Sequence, residues 1–108
     1  MLKGLYKVEF ETARRKSVGV IYADGGRLRG GNSAFCYIGT YTEDGSAISG
    51  TVKSKRHTAD PSLPAVFGFD SVNIAFEGTA KDDYAICEGT AAEAPSLKFK
   101  ALLTRVDD

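Results

Sequence analysis

The sequence predicts one all-β domain, residues 1–108, that closes into an antiparallel up-and-down barrel of about eight strands. The first observation is that apolar and polar residues alternate with a period of two along almost the whole chain, as in half-buried strands. The second is that short turns rich in glycine, aspartate and asparagine separate these runs. The third is that one face of many of the strands is polar. A twisted sheet of that size, apolar on one face, has to close on itself or split in two.

The elements follow in order along the chain. Strands are predicted at about 6–11, 17–23, 27–29, 35–42, 47–56, 72–77, 84–89 and 97–104. Consecutive strands are joined by short turns, which favours a meander over a Greek key. Glycines inside strands, at Gly19, Gly39, Gly50 and Gly89, suit the close approach and sharp bends of a small barrel. At most one helical turn is expected, near 60–66.

One connection, residues 57–67, is longer than the others and carries apolar side chains that would be costly to leave in water. We expect it to fold over an open end of the barrel as a plug or lid, with His57, Leu63, Val66 and Phe67 as its candidate contacts.

Composition narrows the range of functions. Fourteen basic residues balance fourteen acidic ones, so the sequence has no electrostatic signature of nucleic-acid or anionic-membrane binding. No apolar run resembles a signal peptide or a membrane span, and a cytoplasmic location is expected. Cys36 and Cys87 would then stay reduced as ordinary strand residues. The basic run at 53–57 is interpreted as a charged edge, with binding of an acidic partner as the alternative.

The sequence carries no recognisable catalytic or metal-binding set, and no cofactor is expected. His57 is the only histidine, and its polar neighbours are those of any loop. One histidine and two separated cysteines do not form a zinc or copper site. The paired carboxylates lie in predicted turns or near Asp108, where they are solvated. Beside a protein-binding regulator and a carrier of a small ligand, a third hypothesis is an enzyme that uses His57 with Asp60, or a buried tyrosine.

Aromatic residues mostly fall on the predicted inward faces. They either pack the barrel or line a cavity for a small apolar ligand, and the sequence does not decide between these alternatives. The cavity candidates are Tyr6, Phe10, Tyr22, Phe35, Tyr37, Tyr41, Phe76 and Phe99, and Tyr84 is assigned to the same side. The outward faces are predicted to carry Ile21, Ile38 and Leu102 among the small residues Ala23, Ala75 and Ala85. A second copy would cover such a patch most simply, so a homodimer is expected.

Four segments resemble the GrlR-type proteins, named for a negative regulator of type III secretion in enteric bacteria. They are KGLYKVEF at 3–10, GGNSAFCYIGTY at 30–41, RHT at 56–58 and VFG at 66–68. The resemblance spans nearly the whole chain and implies a lipocalin- or calycin-like closed barrel, a homodimer and a non-enzymatic role. The founding member binds and restrains a transcriptional activator through an exposed loop of alternating acidic residues. The matching hairpin tip here has only Glu43 and Asp44, which are the candidate partner-loop residues.

Overall fold

The computed structural model describes all 108 residues and is a closed antiparallel barrel of eight strands in sequential order. Each strand pairs with the next along the chain, and β1 pairs with β8 to close the sheet. The predicted all-β up-and-down barrel is therefore confirmed. No helix in the chain is long and apolar enough to cross a membrane. The strands are β1 (Gly4–Glu11), β2 (Lys16–Asp24), β3 (Arg27–Gly31), β4 (Phe35–Asp44), β5 (Ala47–Arg56), β6 (Ser71–Ala80), β7 (Tyr84–Ala91) and β8 (Ala94–Asp107).

Tight turns join most strands, as the glycine signals predict. Gly25, Gly26 and Gly45 adopt positive φ angles of 57°, 83° and 62° at the β2–β3 and β4–β5 turns. Glycine takes these angles without steric cost. The exception is the β5–β6 connection, residues 57–70. It is longer than predicted and contains isolated turns rather than a helix, with Leu63 N–H donating to the Asp60 carbonyl.

Glycines inside strands mark close approach, which confirms their predicted role. Gly39 and Gly50 lie on the paired strands β4 and β5. A Cβ atom on Gly39 would collide with the backbone carbonyl oxygen of Thr51, and one on Gly50 with that of Thr40. Any larger residue would force these two strands apart.

The barrel interior holds one continuous cluster of apolar side chains. Strand β6 illustrates the pattern, since Val72 and Ile74 are buried while Asn73, Ala75 and Glu77 face outward. Side chains from all eight strands contribute to this cluster. The alternation seen in the sequence thus becomes an apolar inside and a largely polar outside.

The predicted faces of β2 are wrong. Val18, Val20 and Tyr22 face outward, whereas Ile21 and Ala23 are buried inside. The reason is register: cross-strand partners share a face, and inward-facing Tyr6 of β1 pairs with Ile21. The same rule buries Ala85, which pairs with inward-facing Leu103, and turns its neighbour Tyr84 outward.

Space inside the barrel agrees with this register. Gly19 faces inward, and the ring of Tyr37 lies over it, since a Cβ on Gly19 would meet the Tyr37 Cε2 atom at 3.0 Å. A larger inward residue at this position would displace Tyr37. Of the two possible orientations of β2, the observed one leaves room for that ring.

Candidate functional site

The lid, defined as residues 57–70, closes one end of the barrel. Val66 and Phe67 are buried in the core cluster, and Leu63 packs against it. The ring of Phe67 stacks on that of Phe99 with centroids 5.7 Å apart and planes 22° from parallel. The Thr12 hydroxyl donates a hydrogen bond of 2.7 Å to the Val66 carbonyl oxygen. The lid is therefore an integral part of the core.

Arg56, the last residue of β5, fastens both ends of the lid. Its backbone N–H donates to the Asp70 carbonyl at 2.8 Å, and its Nε donates to the Asp70 carboxylate at 2.7 Å. Its Nη1 and Nη2 atoms donate to the carbonyls of Thr58 and Leu63 at 3.2 and 3.0 Å. The guanidinium lies 4.4 Å from the centroid of the Phe35 ring. This fan of donors on a planar group is a contact that lysine cannot reproduce.

The ring of His57 is held in place by hydrogen bonds at both of its nitrogens. One ring nitrogen lies 2.7 Å from the Thr58 hydroxyl and the other 3.1 Å from the Asn32 carbonyl oxygen. The Asp60 carboxylate instead accepts from the backbone and hydroxyl of Ser62, and these bonds lower the Asp60 pKa. The structure therefore does not bring His57 and Asp60 together as an acid–base pair.

The predicted aromatic set divides into an inner and an outer group. Tyr22 and Tyr84, 40% and 41% exposed, lie on the outer face, so their predicted inward orientation is wrong. The other candidates line the interior. Fully or largely buried are Tyr6, Phe35, Tyr37, Tyr41 and Phe99, while Phe10 and Phe76 are partly buried and pack against them.

The inner rings contact one another at the lid end. Phe10 meets Tyr37 edge to face at 5.6 Å and lies 6.0 Å from Phe99. The Tyr37 hydroxyl accepts a hydrogen bond of 3.0 Å from the Asn32 side-chain amide. Burial raises the pKa of Tyr37 well above its usual range. These rings therefore pack against one another in the part of the interior nearest the lid.

The opposite end of the barrel, which we call the mouth, holds a residue that the sequence analysis missed. Leu2 precedes β1, and its side chain is 1% exposed. The Tyr41 hydroxyl donates to the Leu2 carbonyl at 2.6 Å, and the Leu2 N–H donates to the Glu43 carboxylate at 2.9 Å. Glu43, predicted to contact a partner, thus binds the chain's own backbone, although both Glu43 and its neighbour Asp44 are exposed.

Exposed apolar side chains concentrate on one side of the barrel, which we call the outer apolar face. Of the ten large hydrophobic residues that are exposed, seven lie on β2, β7 and β8. Strands β2 and β8 flank β1, and β7 lies next to β8. Ile86 and Leu102 are direct cross-strand partners. Of the three large residues predicted for an outer patch, Leu102 lies on this face, Ile38 lies apart from it on β4, and Ile21 is buried. The seven residues are Val18, Val20, Tyr22, Tyr84, Ile86, Leu102 and Val106.

Charged residues cross and border this face. Lys7 and Glu9, the two exposed residues of β1, form an ion pair with 3.1 Å between Nζ and Oε1. A groove of about 1580 Å³ runs beside them, and its lining includes the exposed Val18, Ile86 and Leu102 as well as the inward-facing Phe10, Cys87 and Ala101. Glu77 and Glu88 stand directly opposite each other in the β6–β7 ladder and line the same groove. Like charges so placed repel, and an approaching cation would relieve that repulsion.

No group of three or more histidine, cysteine, aspartate or glutamate side chains is placed to hold a metal ion. Cys36 and Cys87 are free, and burial raises the pKa of the Cys87 thiol to about 11. A thiol with a raised pKa is protonated at neutral pH and therefore a poor nucleophile.

Comparison of the sequence with models of known protein families gave no match, and none of the curated proteins that were searched matched it either. The fold and the sites together define the chain as a small up-and-down barrel with aromatic side chains inside, a packed lid at one end and an apolar outer face.

Proposed function

We propose that the chain is a non-enzymatic regulatory barrel of the cytoplasm that acts through protein–protein contact and forms a homodimer through its outer apolar face. The observation that carries the proposal is the concentration of seven exposed hydrophobic residues on β2, β7 and β8, the side of the barrel that includes β1. Large contiguous apolar patches on a soluble domain mark interaction sites. The resemblance to GrlR-type regulators agrees with this kind of function.

The charges on this face favour a second copy as the occupant. Lys7 and Glu9 lie two residues apart on β1, at the centre of the face. A two-fold axis that crosses β1 between them sets Lys7 of one copy against Glu9 of the other. The face is then complementary to itself, which an isologous interface requires. A standard interface of this kind buries roughly 800 Å² per partner, and the whole chain exposes 6151 Å².

A matched pair of substitutions tests the dimer. Ile86→Lys places a charge on the outer apolar face, where Ile86 is 57% exposed, and should give a monomer in sedimentation velocity. Ile38→Lys makes the same change at a site 47% exposed but on β4, and should leave the dimer intact. A wild-type monomer at micromolar concentration, or equal behaviour of both variants, would count against the proposed interface.

Regulation of a protein partner needs a separate test. Affinity capture from cells that naturally express the chain, followed by reconstitution with the purified partner, should give a complex that contains a transcriptional regulator. A regulator that binds the barrel in extracts but not after purification would contradict direct contact. Because the partner need not bind at the dimer face, the Ile86→Lys variant would show whether dimerisation is required for capture.

The alternative function, carriage of a small apolar ligand inside the barrel, has less support. Phe10, Tyr37 and Phe99 pack against each other in the interior. The lid residue Phe67 covers one end, and Leu2 is buried at the other. An apolar ligand bound at the positions of these rings would have to displace them. Saturable binding of a fatty acid or an apolar dye, with no loss of fold, would reinstate this alternative.

A further inference from the structure

The mouth binds a short stretch of extended backbone with side chains alone. Leu2 and Lys3 lie outside the strands, so no neighbouring strand satisfies their peptide groups. Leu2 is clamped at both polar atoms, its N–H by Glu43 and its carbonyl oxygen by the Tyr41 hydroxyl. Its aliphatic side chain fills a pocket that leaves 1% of it exposed. These are a donor, an acceptor and an apolar contact, the three elements of peptide recognition.

The contacts of Lys3 continue the same pattern through one hydroxyl group. The Lys3 N–H donates to the Tyr6 hydroxyl oxygen at 3.3 Å, and that hydroxyl donates to the Lys3 carbonyl oxygen, also at 3.3 Å. Arg105 Nη2 also donates to the Tyr6 hydroxyl oxygen, at 3.2 Å. A hydroxyl provides one donor and two acceptor positions, so the Tyr6 group is fully used. Because Arg105 occupies one acceptor position, the Tyr6 hydroxyl is oriented to donate to the Lys3 carbonyl oxygen.

These contacts recognise the backbone of two residues and the side chain of one, Leu2, and they do not extend to a longer sequence. The Lys3 side chain is exposed, and Met1, 84% exposed, reaches the site only with its N-terminal ammonium, 3.9 Å from the Glu43 carboxylate. Only the residue at the position of Leu2 meets a specific pocket. The recognised ligand is therefore any extended segment with an aliphatic residue, a free N–H at that residue and another N–H at the next one.

We infer that the mouth is a peptide-binding site that Leu2 and Lys3 occupy in cis, and that its ligand in trans is an extended peptide segment with an aliphatic anchor residue. This site lies at an end of the barrel and is independent of the proposed dimer face. A tethered segment competes at an effective concentration in the millimolar range. The site is thus self-inhibited, and a partner segment binds measurably only when it displaces Leu2.

The test supplies the segment in trans to a chain whose own anchor has been removed. The variant is Leu2→Gly, the probe is the acetylated, amidated peptide Met-Leu-Lys-Gly, and the readout is the set of backbone amide NMR shifts. The variant should bind the peptide with shifts confined to residues around Tyr6, Tyr41 and Glu43. Wild type should bind at least about tenfold more weakly, because its own segment fills the site.

Two controls make the result specific. The peptide with glycine in place of leucine should not bind, and the Lys3→Ala variant should behave as wild type because only an exposed side chain is removed. A folded Leu2→Gly variant that shows no shifts at the solubility limit of the peptide would overturn the inference. Equal shifts with the leucine and glycine peptides would do so as well.

A second variant covers the case in which Leu2→Gly does not fold. Lys3→Pro removes the N–H that bonds to Tyr6 but keeps Leu2 and every residue of the site. It should bind the leucine peptide more tightly than wild type, since only the cis segment is weakened. Binding equal to that of wild type would mean that the cis segment does not compete for the site, and the inference would fail.

Discussion

Removal of the Phe67 ring tests whether the lid belongs to the barrel core. Phe67 is 2% exposed and stacks on Phe99 with 5.7 Å between ring centroids. Truncation of a buried phenylalanine to alanine costs about 3–5 kcal/mol, in which the aromatic pair accounts for roughly 0.5–1.5 kcal/mol. Domains of this kind have unfolding free energies of about 5–15 kcal/mol. Phe67→Ala should therefore fold but lose a large share of its stability.

The same loop offers a matched control. Phe69 is 49% exposed, so Phe69→Ala makes the identical chemical change without emptying a core position. Its effect should lie within about 0.5 kcal/mol of zero, as for most surface substitutions. Comparison of the two variants separates the contribution of packing from any general effect of shortening a side chain in this loop.

The assay is urea unfolding followed by tyrosine fluorescence and circular dichroism, since the chain has no tryptophan. A double-mutant cycle with Phe99→Ala should give a coupling of about 0.5–1.5 kcal/mol between the two rings. A loss below about 1 kcal/mol for Phe67→Ala would refute the reasoning. It would mean that the lid undocks locally at little cost and does not share the stability of the barrel.

Three further predictions concern single polar contacts. Arg56→Lys keeps the charge but loses the donor fan that holds both ends of the lid, and should cost about 1–3 kcal/mol in urea unfolding, whereas an unchanged midpoint would contradict the latch. Burial raises the pKa of Tyr37 above its usual 10.0. The contribution of the Tyr37 hydroxyl to the free energy of unfolding is therefore complete below pH 10.0 and is lost as the pH rises further. Tyr37→Phe should reduce this loss of stability at alkaline pH, as measured by urea unfolding at a series of pH values. Hydrogen bonds from Asn73 lower the pKa of Glu93 below its usual 4.5. The contribution of the Glu93 carboxylate to the free energy of unfolding is therefore present above pH 4.5 and is lost on acidification. Glu93→Gln should make the free energy of unfolding depend less steeply on pH in the acid range, and an unaltered dependence would contradict this prediction.

The sequence was sufficient to predict the barrel because its signals are local and repeated. The turn glycines Gly25, Gly26 and Gly45 occupy positions where only positive φ angles close the hairpin. Strand β6 has one apolar and one polar face, so its orientation follows from the alternation alone. The long β5–β6 connection carries apolar side chains, and burial of Val66 and Phe67 follows from their cost in water.

The orientation of β2 could not be predicted in the same way. Both of its faces are apolar, one with Val18, Val20 and Tyr22 and the other with Ile21 and Ala23. Alternation then gives no preference, and size favours the wrong face. The register with β1 decides the orientation, and it depends on the exact length of the β1–β2 turn. The outer apolar face was consequently expected with partly different residues.

The mouth was missed for a different physical reason. Leu2 lies before the first strand, where no periodic pattern exists to indicate a face. Its partners Tyr41 and Glu43 come from a strand some forty positions further along the chain, with sequence separations of 39 and 41. Only the closed barrel brings them together. Its position at a hairpin tip indicates only that Glu43 is exposed, yet its carboxylate accepts a hydrogen bond from the Leu2 N–H.

The closure of the barrel determines where recognition can occur. With Phe67 packed at one end and Leu2 at the other, the buried side chains of the interior contribute to stability. The apolar area that remains accessible lies outside, where Ile86 and Leu102 face solvent as direct cross-strand neighbours. We therefore propose that the inside serves stability and the outside association. Substitutions inside should change stability without changing partner choice, whereas Ile86→Lys should change association with little effect on the unfolding free energy of the monomer.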